Sequence, residues 1–459
     1  MLKRILLLGT VLLGSFNLIG KDKIPLPTQP QLRWHESELG VVYHYDLHVF
    51  DSEQYSQGHN RINPIYDHNI FNPTELDTDQ WVKAAKEAGA KFAVITATHE
   101  TGFALYQSEV NPYCLKTVNW REGKGDIVRD FVNSCRKYDI LPGIYIGIRW
   151  NSLLGIHNFK SLGDNQFAKN RQAWYKNMCE GMVRELCSNY GDLFMIWFDG
   201  GADDPLGDGP DVLPIVSELQ PDCLFYHNVQ RADFRWGGSE TGTVSYPCWS
   251  TFPNPFSHHN RTETDDHNKL LRHGDKNGKY WVPAMADTPL RGTNGRHEWF
   301  WEPGDEHSIF PLDDLMNIYY KSIGRNSTLI VGLTPDDKGV MPQADVERLK
   351  EWGTEIRRRF DKPVATTQGN TKQLILNLKA NTPINHIVIQ ENLKYGELIR
   401  EYKVEAFVDK KWIEVCSGES VGHKRIQEFN TVITSRLRLT IQKALNTPVI
   451  REFAAYHVD

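Results

Sequence analysis

From about residue 38 to 360, short apolar runs alternate with segments whose apolar residues recur every three or four positions. The runs LGVVYHY (39–45), KFAVITAT (91–98), ILPGIYIGI (140–148), DLFMIWF (192–198), CLFYHN (223–228), YWVPAMA (280–286) and TLIVGL (328–333) have the length of strands. They are apolar on both faces, as parallel strands covered by helices must be. Between them Trp81, Ala84, Ala85 and Ala88 fall on one face of a helix, as do Ile127, Val128, Phe131, Val132 and Cys135. Trp174, Met178, Met182 and Leu186 repeat in the same way, and so do Val212, Ile215, Val216 and Leu219. A last helical pattern, Val346, Leu349 and Ile356, stops before Asp361-Lys362-Pro363. This alternation predicts a (β/α)8 TIM barrel with an irregular sector around 240–310. The competing architecture is a doubly wound open sheet, but no glycine-rich phosphate loop follows the first strand.

After Pro363 the period changes to two. Tyr402, Val404, Ala406 and Val408 fall on one face of a strand. LILNL, NHIVIQ, KWIEV and SRLRLTI are further short strands with turns between them, which predicts an all-β sandwich of the jelly-roll kind. The expected division is a barrel over 21–361 and a sandwich over 362–459. Ahead of both, Lys3 and Arg4 precede an apolar run, Ile5 to Phe16, too short to span a bilayer. A secretory signal over 1–20 is expected, and with it a secreted or periplasmic protein with no membrane insertion.

Composition narrows the function classes. A net charge of −6 without a Lys/Arg cluster argues against a nucleic-acid surface. Seven cysteines without a CxxC pair point to buried free thiols, not to a disulfide framework or a zinc site. Thirteen Trp and 18 Tyr serve either a large aromatic core or faces that stack on sugars.

In such a barrel, chemistry sits at the C-terminal ends of the strands. His44, Tyr45 and Asp46 fall there, with Thr98, His99 and Glu100, the stretch Tyr145 to Arg149, Asp199, His227 and Asn228, and Asp287. HExxH is absent, so no metal is expected, and no G-x-S-x-G elbow offers a serine nucleophile. Carboxylates remain. Two of them about 5–5.5 Å apart, as nucleophile and acid/base, define a retaining glycosidase. MIWFDGG (195–201) poses the question most sharply. An apolar run delivers Asp199 into two glycines, which either form a plain turn or leave room for a sugar beside an aimed acid.

WFDGG after a buried strand resembles the nucleophile motif of the α-L-fucosidases of glycoside hydrolase family 29. VVYHYDLHVF is similar to that family's first-strand segment, and FNPTELDTDQWVKAAKEAGAKFAVITATHETGF to its second βα unit. SIGRNSTLIVGLTPDDKGVMP is similar to a late family segment. INHIVIQENLKYGELIREYKVEAFVDKKW resembles the C-terminal sandwich of the second subgroup, whose fold is like that of galactose-binding modules. The resemblance implies a retaining exo-glycosidase that removes terminal α-L-fucose from oligosaccharides or glycoconjugates and needs no cofactor. It implies Asp199 as nucleophile and Glu240, in RWGGSETG, as acid/base, with Glu298 of HEWFW as the rival. Trp197 would line the sugar pocket, and His44, His99, Tyr145 and Glu53 would contact hydroxyls. Trp299 or Phe300 would wall the C5 methyl, and Arg235 or Arg231 would stand near the acid/base. The sandwich would either bind glycans or brace the barrel.

Two positions depart from the family pattern. HHDGF is here His99-Glu100-Thr101-Gly102-Phe103, and the tryptophan expected after Glu53 is Gln54. Both positions touch the sugar in relatives. One change puts an anionic acceptor where an imidazole stood; the other removes an aromatic face. Three outcomes stay open: a fucosidase, the same mechanism on a β-D-galactoside with Glu100 or Gln54 serving its hydroxymethyl, and a sugar-binding protein with weakened catalysis.

Overall fold

The structure, a computed structural model, describes residues 24–51, 57–255, 265–293 and 299–459. The expected signal segment, Glu53, Gln54 and Glu298 lie outside the described residues.

Eight strands form one parallel sheet: β1 Leu39–Tyr43, β2 Phe92–Thr98, β3 Leu141–Ile146, β4 Met195–Phe198, β5 Leu224–Tyr226, β6 Arg235–Trp236, β7 Ala284–Pro289 and β8 Ser327–Leu333. Their order is β5-β4-β3-β2-β1-β8-β7-β6. The two end strands, β5 and β6, are not paired to each other, so the barrel is nearly closed. Apart from two single-turn helices, His48–Asp51 and Gln57–Asn60, the α-helices among the described residues are α1 Gln29–Ser37, α2 Thr78–Ala88, α3 Ile127–Lys137, α4 Gln166–Asn189, α5 Leu213–Leu219, α6 Asp265–His273, α7 Leu312–Lys321 and α8 Gln343–Phe360. Local chemistry sets their ends. Asp77 accepts the Gln80 N–H at 3.0 Å to start α2, and Asp126 accepts the Arg129 N–H at 2.8 Å to start α3. Gly89, at φ 96°, ends α2 in the left-handed conformation that a side chain disfavours.

The period of two decides which residues face the barrel interior. Met195 and Trp197 pack inside with Val42, Val94, Tyr145, Met285 and Ile330. Ile196 and Phe198 pack outside, toward the helices, with Val41, Tyr43, Ile144 and Val331. The N-terminal end of the barrel is plugged by α1. Its fully buried Trp34 stacks on Phe234 with ring centroids 4.1 Å apart and packs on Phe92 at 5.5 Å. Gly40 lets Phe92 in, since a Cβ there would stand 2.2 Å from the ring. Emptying the Trp34 site would cost roughly 3–5 kcal/mol. With that end filled, the C-terminal mouth is the side left for chemistry.

The irregular sector differs in detail from the expectation. The run 280–286 is not one strand. Tyr280–Trp281 pairs antiparallel with Thr251–Phe252, away from the barrel sheet, and β7 begins at Ala284. Pro283 between them has no N–H to offer a ladder; its carbonyl takes the Arg235 N–H at 2.8 Å. The two-residue β6 is too short to leave a periodic signal.

The C-terminal strands are β9 Ala365–Gly369, β10 Gln373–Glu391, β11 Ile399–Val408, β12 Lys411–Gly418, β13 Arg425–Ala444 and β14 Ile450–Tyr456. They form an antiparallel sheet ordered β9-β14-β10-β13-β11-β12. Leu376, Ile387, Ile389, Tyr402, Val404, Leu437 and Phe453 fill its core. Buried polar contacts fix it to the barrel. Glu397 accepts the Ser250 N–H at 2.9 Å and its hydroxyl at 2.8 Å. Glu38 pairs with Lys424 at 2.6 Å and with His423 at 2.7 Å. The cysteines are unpaired. No helix among the described residues is long and apolar enough to cross a membrane.

Candidate active site

A cleft opens at the C-terminal mouth, lined by His44, His99, Tyr145, Trp197, Asp199, Glu240, Asp287 and Trp299. Asp199 directly follows β4 and continues the inward phase of Met195 and Trp197. Tyr145 lies beside Trp197 in the register of β3 and β4, and its hydroxyl donates to Asp199 Oδ2 at 3.0 Å. Burial pushes the Asp199 carboxyl up from the ordinary range, and nearby Glu240 adds to that. The Tyr145 hydrogen bond and the guanidiniums of Arg149 and Arg61 pull it back down. The donor and the cations favour the ionised carboxylate that a nucleophile needs, and burial opposes them.

Of the two readings of the glycines after Asp199, the turn is the one the backbone shows. Gly200 and Gly201 have φ of 65° and 85°. A Cβ on Gly200 would stand 2.7 Å from Arg149 Cδ, and one on Gly201 would stand 2.9 Å from His227 Cε1. The space beside the turn is taken by Arg149 and His227 rather than left to a sugar. Glycine is required both for the conformation and for that close approach.

His44 follows Tyr43 at the end of β1, in phase with inward Val42. His99 would point outward if β2 kept strict alternation from inward Val94. A register shift between Thr96 and Thr98 adds one residue and turns His99 into the cleft. Its ring stacks on Tyr145 at 5.3 Å, and the His44 ring lies 5.8 Å from Tyr145. Burial lowers His44 to about 3 and drives His99 well below the ordinary histidine range. Both imidazoles are therefore neutral near pH 7, each with one donor and one acceptor nitrogen.

Glu240 sits on the loop after β6, half-buried. Trp299 Nε1 donates to its Oε2 at 3.1 Å, and the Trp299 ring also packs on His44 at 5.0 Å. Phe300, the alternative to Trp299 as pocket wall, is fully buried behind the cleft. It packs on His48 at 3.8 Å and His99 at 4.9 Å. Trp299 is the wall, and Phe300 supports the histidines.

Arg235 does not reach the cleft. Its guanidinium is fully buried and donates to the carbonyls of Leu271 and Val282 and to Cys248 Sγ. Arg231 is paired with Asp233 through two bonds of 2.9 and 2.8 Å. The guanidiniums that act on the site are Arg149 and Arg61 instead. Glu100 also stands outside the cleft lining. Its Oε1 accepts from Arg61 Nε at 2.8 Å, and Arg61 stacks over Trp150 at 3.7 Å. Among the described residues, no group of His, Cys, Asp and Glu side chains has the clustering a metal ion needs.

The sequence model of the family described as Alpha-L-fucosidase matches residues 28–358, most of the chain. The chain belongs to the alpha-L-fucosidase family. The fold is that of a crystal structure of a putative alpha-L-fucosidase from Bacteroides thetaiotaomicron VPI-5482. The two are 67% identical with a TM-score of 0.94, over 95% of this chain and 100% of that one. A glycoside hydrolase 29 family member from an unknown rumen bacterium is 28% identical with a TM-score of 0.78, over 95% of this chain and 78% of that one. Alpha-L-fucosidase 1 of Arabidopsis thaliana is 27% identical over 94% of this chain and 88% of its own. This alpha-L-fucosidase family member is thus a glycoside hydrolase.

Asp287, named above among the polar residues at strand ends but given no role there, lines the cleft of this fucosidase-family chain. Its position at a strand end was the signal, in phase with inward Met285. Its Oδ1 accepts from Trp236 Nε1 at 2.7 Å. Arg149 and Arg61 left no signal beyond the former's place after β3.

Proposed function

We propose that the chain is a retaining exo-α-L-fucosidase acting on terminal fucose of oligosaccharides or glycoconjugates. The observation that carries this reading is that Asp199 and Glu240 share one aromatic-walled cleft, each accepting a hydrogen bond from an aromatic side chain. The ionised Asp199 attacks the anomeric carbon as the glycosidic C–O bond breaks. Glu240 gives its proton to the departing oxygen. The resulting glycosyl ester is then attacked by water, whose proton passes to Glu240, and Asp199 leaves as a carboxylate. A strand-borne nucleophile moves little, which favours attack geometry. The neutral imidazoles of His44 and His99 suit hydroxyl groups, and the faces of Trp197 and Trp299 suit sugar C–H surfaces. The names of the relatives support fucose as the sugar.

The test is hydrolysis of an aryl α-L-fucoside followed by proton NMR, with α-L-fucose expected as the first product. β-L-Fucose first would overturn retention. Faster cleavage of an aryl β-D-galactoside than of the fucoside would overturn the choice of sugar. Tight fucose binding without turnover would overturn catalysis. We also read the basic-then-apolar start as an export signal. Amino-terminal sequencing of the exported protein should begin near residue 21, and a product that still carries Met1 would contradict this.

A further inference from the structure

The mechanism above uses two of the three carboxylates in the cleft. The third, Asp287, is 5% exposed and belongs to β7. Its side chain accepts from Trp236 Nε1 at 2.7 Å, and its backbone carbonyl accepts the Gly242 N–H at 2.8 Å. Trp236 and Gly242 flank Glu240 in the chain, so one residue grips the Glu240 loop on both sides. A further bond, from the Gly237 N–H to the Met285 carbonyl at 2.7 Å, ties the same loop to the same strand. Gly242 sits close, at φ 69°; a Cβ there would stand 2.8 Å from Thr288 Cγ2 and Ile318 Cγ2.

The grip has an electrostatic side. Asp287 and Glu240 line one cleft. Around the pair stand Asp199 from β4 and Tyr226 of β5. Arg272 of α6 packs its side chain against Gly238 of the Glu240 loop, and α7 offers the loop the Lys321 carbonyl. His44 is neutral, and β8 carries no ionisable side chain. Burial pushes Asp287 well above the ordinary carboxyl range, Glu240 and Asp199 push it further, and the Trp236 bond opposes them.

We infer that Asp287 is a positioning residue that fixes the loop carrying Glu240 against β7. The inference rests on the fucosidase reading. Asn at position 287 keeps an acceptor for Trp236, whereas Ala removes it. Asp287→Ala should lower kcat on a fucosylated oligosaccharide about tenfold with KM little changed, with a smaller loss on a nitrophenyl fucoside, and Asp287→Asn should recover most of the loss. Trp236→Phe keeps the carboxylate and removes the bond, and should lower kcat in the same way. A kcat unmoved in both Asp287→Ala and Trp236→Phe, or a loss equal on the two substrates, with an active wild type, overturns the inference.

Hydrogen–deuterium exchange read by mass spectrometry separates this from failure of the fucosidase reading, because it needs no substrate. The peptide spanning 236–244 should exchange faster in Asp287→Ala and in Trp236→Phe than in the wild type, with β1 to β4 unchanged. Unchanged exchange in that peptide overturns the inference whatever the enzyme cleaves. If the wild type cleaves no fucoside, the function reading fails and the exchange result still decides this one.

Discussion

Asp199 stands at the end of a strand, whereas Glu240 stands on a loop after a two-residue strand. The position of Asp199 follows from short-range facts: the inward phase of β4, a neighbouring tyrosine in register, and two glycines that turn the chain away. Glu240 is placed from a distance. Trp299, 59 residues on, holds its carboxylate, and Asp287, 51 residues beyond Trp236, holds its loop. A strand can aim a nucleophile by itself, but a loop needs side chains from elsewhere to aim an acid. The nucleophile side should therefore suffer when its own chemistry is removed, and the acid side should also suffer when distant supports are removed.

The largest expected effect is that of Asp199→Gly. Turnover of an aryl fucoside should fall by about 10⁴-fold or more, with a circular dichroism melt close to wild type because no core contact is lost. Activity within tenfold of wild type would break the comparison at its root. Glu240→Gln comes next. It should cost roughly 10²–10⁴-fold on a fucosylated oligosaccharide, but less on a nitrophenyl fucoside, whose leaving group needs little protonation. Equal losses on both substrates would contradict the acid role.

Trp299→Phe sharpens the comparison, because it keeps an aromatic wall and removes the donor to Glu240. A kcat loss of about tenfold, larger on the oligosaccharide than on the nitrophenyl substrate, is expected from steady-state kinetics. A rise in KM alone would make Trp299 a wall and nothing more. The smallest effect belongs to Glu100→Gln, which loosens Arg61 without touching the cleft lining. A change in KM of about threefold or less, with kcat unchanged, is expected. A loss as large as that of Trp299→Phe would return Glu100 to the sugar site.

The same contrast explains what could be read from the sequence. His44, Tyr145, Trp197 and Asp199 belong to or directly follow apolar strands, where a period of two and the rule about strand ends suffice. His99 was found by the same rule, but its inward aim depends on a bulge that alternation does not foresee. Glu240 and Trp299 were reached only through family resemblance, since nothing local shows which loop residues meet. Arg235 was misplaced because a motif position does not reveal that carbonyls from α6 and from residue 282 have taken its guanidinium. Asp287 was found by the strand-end rule, but it was given no role, because 280–286 read as one strand. Pro283 breaks that run, and β7 alone delivers the carboxylate to the cleft. For the (β/α)8 barrel and the C-terminal sandwich, hydrophobic period was enough; the sector around β6 and β7 was not legible in detail because its strands are short and its contacts distant.

The central claim is that Asp199 forms a covalent bond to the sugar. The protein should be incubated with a 2-deoxy-2-fluoro-α-L-fucosyl donor bearing a good leaving group, then digested and mapped by mass spectrometry. The account predicts one fluorofucosyl group on the peptide containing MIWFDGG, at Asp199, with Asp199→Gly unlabelled. A label on Glu240 or Asp287, or none while the wild type turns over an ordinary fucoside, would contradict it.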